Sequence, residues 1–197
     1  AGVSFIYTVL LRLICAFILG FILKLIYFNF DLLTYTFKTF FTIKPPPDGF
    51  WPWLLDQSIT LIYIFFIVCT MTVVLELLRM VGIEKIVEKI FMPPLRLFGI
   101  QKEAMNIIIV GMTIGLQFGG GMLIKEVKTG RIDKQSIFLS VSMLNLLHAL
   151  IEDTILMILV GGHISGVLFA RIIFSLIMSY FIFMIYKKYS KSNLSIQ

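Results

Sequence analysis

The sequence predicts an all-α integral membrane protein with about four spanning helices, one re-entrant glycine-rich hairpin and amphipathic interfacial helices. Three observations carry that expectation. Hydrophobic residues make up 59% of the 197 and the mean hydropathy is +0.99, well above an ordinary soluble domain. Apolar runs occur at about 3–28, 54–78, 104–124, 137–160 and 167–186, each near the roughly 20 residues a helix needs to cross a bilayer. One of them, 104–124, is interrupted by glycines at 111, 115 and 119–121.

The first run has no basic stretch ahead of it and no small-residue cleavage pattern behind it, so it reads as a retained helix. Arg12 lies inside it and either pairs with an acid or snorkels to the interface. Cys15 and Cys69 both sit in apolar runs, where small buried side chains are expected and a disulfide framework is not. Residues 30–43 mix aromatics with Asp31 and Lys38, which suits a helix lying along the interface. Pro45, Pro46 and Pro47 then enforce extended backbone, Asp48-Gly49 signals a turn, and Trp51 and Trp53 suit the headgroup boundary. These features divide the chain into an N-terminal unit at 1–53, a main membrane domain at 54–186 and a basic cytoplasmic tail at 187–197.

The second run ends in Glu76 and Arg79. After it, Ile83, Ile86, Val87 and Ile90 recur at helical spacing, with Glu84, Lys85, Glu88 and Lys89 elsewhere on the wheel. This is a second interfacial helix, expected to stop at Pro93-Pro94. In the third run each glycine disfavours helix by about 1 kcal/mol relative to alanine. Irregular backbone survives in a membrane only where protein buries it or a cavity adjoins it. The expectation is a hairpin that enters over 104–114 and returns over 117–124. Charge favours the same choice over a full crossing. A re-entrant run puts Arg79, Lys85, Lys89, Arg96 and Lys102 on one side with Lys125, Lys128, Arg131, Lys134, Lys187, Lys188 and Lys191, against Lys38 and Lys44 opposite. Both termini are then cytoplasmic. The net charge of +6 reports topology in this setting, and no nucleic-acid partner is expected.

The fourth run carries Asn145, His148, Glu152 and Asp153 among apolar residues. An acidic residue at mid-bilayer costs roughly 2.5–3.5 kcal/mol to insert, so such groups need partners and usually have a role. On an unbroken helix, Asn145, His148 and Glu152 share one face near mid-membrane, with Ser142 and Asp153 flanking it. Adjacent Glu152 and Asp153 repel when both are ionised, and such a pair can hold a proton or exchange it for a cation. His148 and Glu152 at i, i+4 can share a metal ion, but two ligands make no metal site, and none is assigned. Arg171, early in the fifth run, falls near the depth of Asp153 if 161–166 forms a turn, which offers a purely structural role for Asp153. Gln117, Gly119 and Gly120 form the second candidate group: glycines let backbone approach a ligand, and the amide both donates and accepts. The competing role for these glycines is helix packing. His163 reads as a turn residue. The sequence has no phosphate loop, cysteine-rich metal pattern or serine-nucleophile motif, so no cofactor is expected.

The order of an amphipathic helix, a glycine-broken hairpin, a charged turn and a helix with polar groups resembles the nucleoside-recognition, or Gate, domain. The resemblance is carried by residues 77–83 (LLRMVGI), 94–100 (PLRLFGI), 111–121 (GMTIGLQFGGG) and 148–154 (HALIEDT), within about 75–186. The last motif looks like that of uncharacterised prokaryotic membrane proteins of this superfamily. Its relatives include concentrative nucleoside transporters, ferrous-iron transporter membrane domains and spore-maturation proteins. The chain is shorter than the nucleoside transporters and has one hairpin, so the resemblance implies a fold rather than a nucleoside substrate. It also implies a homodimer in a prokaryotic cell membrane, since two-fold symmetry restores the paired halves of such transporters.

Three function classes fit. The leading one is a transporter or channel-like protein in which a small polar solute, proton or cation meets Gln117 and the Asn145, His148, Glu152 and Asp153 stripe. The others are a non-transporting interaction subunit and an intramembrane enzyme on lipid-linked substrates.

Overall fold

The computed structural model describes residues 3–30 and 47–194, with side chains through residue 188. The expected interfacial helix at 30–43 and most of the triproline segment lie outside the described residues. The chain forms α1 (Phe5–Asn29), α2 (Phe50–Met80), α3 (Ile83–Leu97), α4 (Lys102–Thr113), α5 (Leu116–Lys128), α6 (Lys134–Leu147), α7 (Leu150–Leu159) and α8 (Arg171–Leu194). A π-helical turn, Ser165–Ala170, leads into α8. Four segments are long and apolar enough to cross a membrane: α1, α2, α6 continued into α7, and the π-helical turn continued into α8. The α-helical membrane fold is therefore as the sequence predicts.

The glycine-rich run is a helical hairpin. Its arms α4 and α5 have 12 and 13 residues, hence about 18 and 20 Å, short of the roughly 30 Å hydrocarbon layer. Gly115, at φ 114°, makes the turn between them, a conformation that costs other residues steric strain. The arms then close tightly, because a methyl added at Gly119 would lie 2.5 Å from Gly111 Cα. The sequence placed Gly119 as a ligand-approach candidate; its geometry is that of packing. Helix α4 is the centre of the domain and touches α3, α5, α6 and α7. It buries Ala104, Met105, Ile107, Ile108, Ile109 and Met112.

The amphipathic helix α3 differs from expectation at its end. It runs through Pro93 and Pro94 to Leu97, although a proline inside a helix costs about 3 kcal/mol. Burial of Phe91, Leu95 and Phe98 on the core side holds it helical, and the backbone groups the prolines leave without donors belong to exposed Lys89 and Ile90. Gly99, at φ 66°, ends it instead. Helix α6 starts on Asp133, whose Oδ2 accepts from the Ser136 amide at 3.2 Å. Helix α8 packs along α6 through Phe138 and Tyr186, stacked at 5.3 Å, and carries Lys187 and Lys188 as a continuation of the helix rather than as a separate tail.

Helix α1 lies beside α6 and the π-helical turn and runs parallel to α6. Tyr7 donates to Ser142 Oγ at 3.0 Å, whose own proton goes to Phe138 O; Asn145 Nδ2 donates to Thr8 O at 2.6 Å; and Tyr27 meets Ser165 at the far end at 2.8 Å. Three polar contacts on an otherwise lipid-suited helix fix both its height and its rotation.

Glycine substitutions test the hairpin. Gly119→Ala is expected to destabilise the protein by about 1–3 kcal/mol or more through overpacking, read as a lowered Tm in detergent. Gly121→Ala, where no atom stands within 4 Å of the new methyl, is expected to be neutral or to raise Tm. Equal effects at the two positions would refute the close approach of the arms.

Candidate functional site

The apolar run at 137–160 is not one helix. It breaks at His148, with ψ 152°, and Ala149, at φ 50° and ψ 39°, the single non-glycine residue with positive φ among the described residues. A left-handed alanine costs about 1–2 kcal/mol, so other contacts hold the break. The Ala149 amide, freed by it, donates to Gly111 O at 3.3 Å, a carbonyl itself left over at the end of α4. The hairpin tip and the break thus satisfy each other.

Arg171 closes the other side. Its Nη2 donates to His148 O at 3.1 Å and its Nε to Leu146 O at 3.4 Å, while Nη1 lies 2.9 Å from Asp153 Oδ2. The guanidinium therefore sits on the negative end of the α6 dipole, and Asp153 sits in the first turn of α7, at the positive end. One planar fork spans a gap between two helices, which an ammonium group cannot do. The π-helical turn just before Arg171 shifts the register of α8 relative to the preceding backbone and sets the direction in which this side chain leaves.

These elements border a half-open cavity of about 260 Å³ between α1, the break and α8. Its polar lining is Arg12, Asn145, His148, Asp153, Arg171 and Ser175, with Cys15, Leu19 and Phe174 among the apolar groups. His148 Nδ1 lies 3.0 Å from Leu144 O; a carbonyl only accepts, so Nδ1 carries the proton and Nε2 is the ring's remaining acceptor. His148 stands close to the middle of the 26-residue span. Arg12 is exposed toward this space and forms no ion pair among the described residues.

The structure brings together Asn145, His148, Asp153 and Arg171, and separates Glu152 from them. The wheel that put Glu152 on the face of Asn145 and His148 assumes an unbroken helix. The break rotates α7, so Asp153 rather than half-buried Glu152 lines the cavity. The i, i+4 geometry for a metal shared by His148 and Glu152 does not form for the same reason, and among the described residues no three His, Cys, Asp or Glu side chains converge. The adjacent carboxyl groups do not act as one pair either, since Asp153 is held by Arg171. Gln117 is exposed in the first turn of α5 and is not part of this lining. Gly120 lines a neighbouring, mainly apolar cleft of about 270 Å³, which also reaches Asn145. Asn145 thus stands between two spaces while its amide ties α6 to α1. His163 is more than a turn residue: its Nδ1 is 2.6 Å from Ser165 Oγ and its ring meets Tyr27 edge-on. Ser175 was not evident as a lining group in the sequence, although it lies at i+4 from Arg171 and so on the same face of α8.

Fold and cavity define a multi-pass α-helical membrane protein with a polar space at the break of a spanning helix. The chain is similar to a protein of Bacillus subtilis (strain 168) described as "Uncharacterized membrane protein YvoD", with 26% identity over 151 residues. The match covers 74% of this chain and 48% of the relative, so the chain spans about half of that protein's length. No family model and no solved structure matches the chain.

Arg171 carries the prediction of this geometry. Arg171→Met is expected to cost about 1–3 kcal/mol, because it leaves half-exposed Asp153 without its partner and removes the donors to two carbonyls. Adding Asp153→Asn should recover part of that loss but not all, since the carbonyls stay without their donors. A thermal double-mutant cycle on purified protein measures both; full recovery in the double mutant would mean that Arg171 serves Asp153 alone.

Proposed function

We propose that the chain is a transporter or channel-like protein of a prokaryotic cell membrane that moves a small polar solute or ion, with a Gate-like architecture. The observation that carries this reading is the interrupted α6–α7 span over a polar cavity at mid-membrane depth. Transporters of related architecture use discontinuous helices in this way, because a break exposes backbone groups and dipole ends that a continuous helix spends on itself. The hairpin of α4 and α5 is re-entrant in this proposal, since neither arm has the length to cross, and its tip supports the break through Gly111. Both termini then lie on the cytoplasmic side with the basic segments.

The solute meets Asn145, His148 and Asp153, with Arg171 holding the break. Gly120 belongs to the neighbouring apolar cleft, Gln117 lines neither space, and Glu152 is released from the binding role that the helical wheel gave it. His148→Ala is expected to abolish solute-driven charge movement in proteoliposomes while Tm and yield are retained, and Glu152→Gln is expected to leave it near wild type. Unchanged currents in His148→Ala across sodium, phosphate, amino-acid and nucleoside jumps would sink the reading.

One chain supplies one hairpin and one broken helix, and a two-fold homodimer supplies the second set. Helix α2, 31 residues long with a strongly apolar middle and scarcely buried, leaves ample surface for a second copy as well as for lipid. Native mass spectrometry from mild detergent is expected to give twice the chain mass; a single-chain mass would count against the dimer.

A further inference from the structure

We infer that the cavity recognises an oxyanion, a carboxylate or phosphate group, and that Arg12 is the residue that binds it. This rests on the reading of the cavity as the solute site and narrows the solute to a chemical class. The cavity holds two guanidinium groups and one carboxylate. Arg171 and Asp153 balance each other at 2.9 Å, and the remaining donors of Arg171 are largely spent on Leu146 O and His148 O. Arg12 is left with its charge and its full fork of donors among the described residues.

Its position makes that charge consequential. The Asn145 to Thr8 hydrogen bond sets α1 against α6, and four residues on from Thr8, one helical turn, Arg12 comes level with the break. A cation at that depth in a spanning helix is costly and characteristically pairs with an opposite charge or with backbone carbonyls. Among the described residues no carboxylate serves it: Asp153 is taken, and Glu152 is not among the groups lining the cavity. The planar guanidinium matches two oxygens of a carboxylate or phosphate at once. Ser175 adds a hydroxyl to the same space, and His148 Nε2 offers an acceptor for a hydroxyl or amine elsewhere on the ligand. At about 260 Å³ the cavity accommodates a small organic acid or phosphate ester.

The same group arrives either free in solution or on a lipid headgroup, and the experiment separates the two. The full chain is placed in phosphatidylcholine nanodiscs, and its thermal unfolding is followed with sodium phosphate, sodium acetate or sodium chloride at equal ionic strength. A further arm replaces part of the lipid with phosphatidylglycerol. Phosphate or acetate is expected to raise Tm above the chloride baseline, with binding weakened roughly ten- to hundredfold in Arg12→Gln and less in Arg12→Lys, which keeps the charge but loses the fork. A rise with phosphatidylglycerol alone, lost in Arg12→Gln, supports the oxyanion and assigns it to lipid. No rise above chloride in any arm, or a rise of equal size in Arg12→Gln, overturns the inference. Should Arg12→Gln fail to fold, the difference between wild type and Arg12→Lys decides in the same way. The outcomes also separate the two readings. Oxyanion binding through Arg12 without solute-driven currents leaves this inference standing and removes transport; His148-dependent currents with a cation alone and no oxyanion binding do the reverse.

Discussion

The guanidinium of Arg171 is the constraint on which the interior of this protein turns. A spanning helix that stops at Leu147 and restarts at Leu150 exposes carbonyls in a layer with no water to satisfy them, and each such group costs free energy if left alone. Arg171 takes two of those carbonyls, and Gly111 takes the amide on the opposite side. Those contacts meet at the junction of α6 and α7, and the cavity lies beside it. Asp153 then has a double origin: it neutralises a partly buried arginine, and it sits where the dipole of α7 favours a negative charge.

The hairpin and the break belong to one construction. Gly119 against Gly111 brings α5 onto α4 at the level where α4 meets α6, and Leu144 fills the space that a side chain at Gly111 would take. Small residues at this crossing are what let three backbones approach closely enough for Gly111 to reach Ala149. The glycines pack at this crossing, and the polar cavity lies on the other side of α6, facing α1 and α8.

The membrane class, the hairpin and the amphipathic α3 were legible in the sequence because each is a matter of composition and period. Asp153 and Arg171 were legible as a pair from helical rise alone. The break was not. The stretch from Asn145 to Ile151 contains neither glycine nor proline, and its interruption is imposed by Gly111 and Arg171, 38 residues before and 22 residues after Ala149 in the chain, by contacts no local pattern displays. That one unseen feature removes Glu152 from the lining and leaves Asp153 in it. It also explains why Arg12 was noticed as an oddity in an apolar helix without a destination. The prolines of α3 misled for the converse reason, since burial of Phe91 and Leu95 outweighs a local penalty.

The contacts that seat α1 have a consequence for how the protein is made. Tyr7, Thr8 and Tyr27 all belong to α1, whereas their partners Ser142, Asn145 and Ser165 follow some 135 residues later. Synthesis proceeds from the N-terminal side, so α1 enters the bilayer long before these three partners exist. Arg12 is then a bare cation in lipid, and the cavity has no wall on that side. The polar space therefore gains its full lining only when α1, already in the membrane, meets the later segments that carry Asn145, His148 and Arg171.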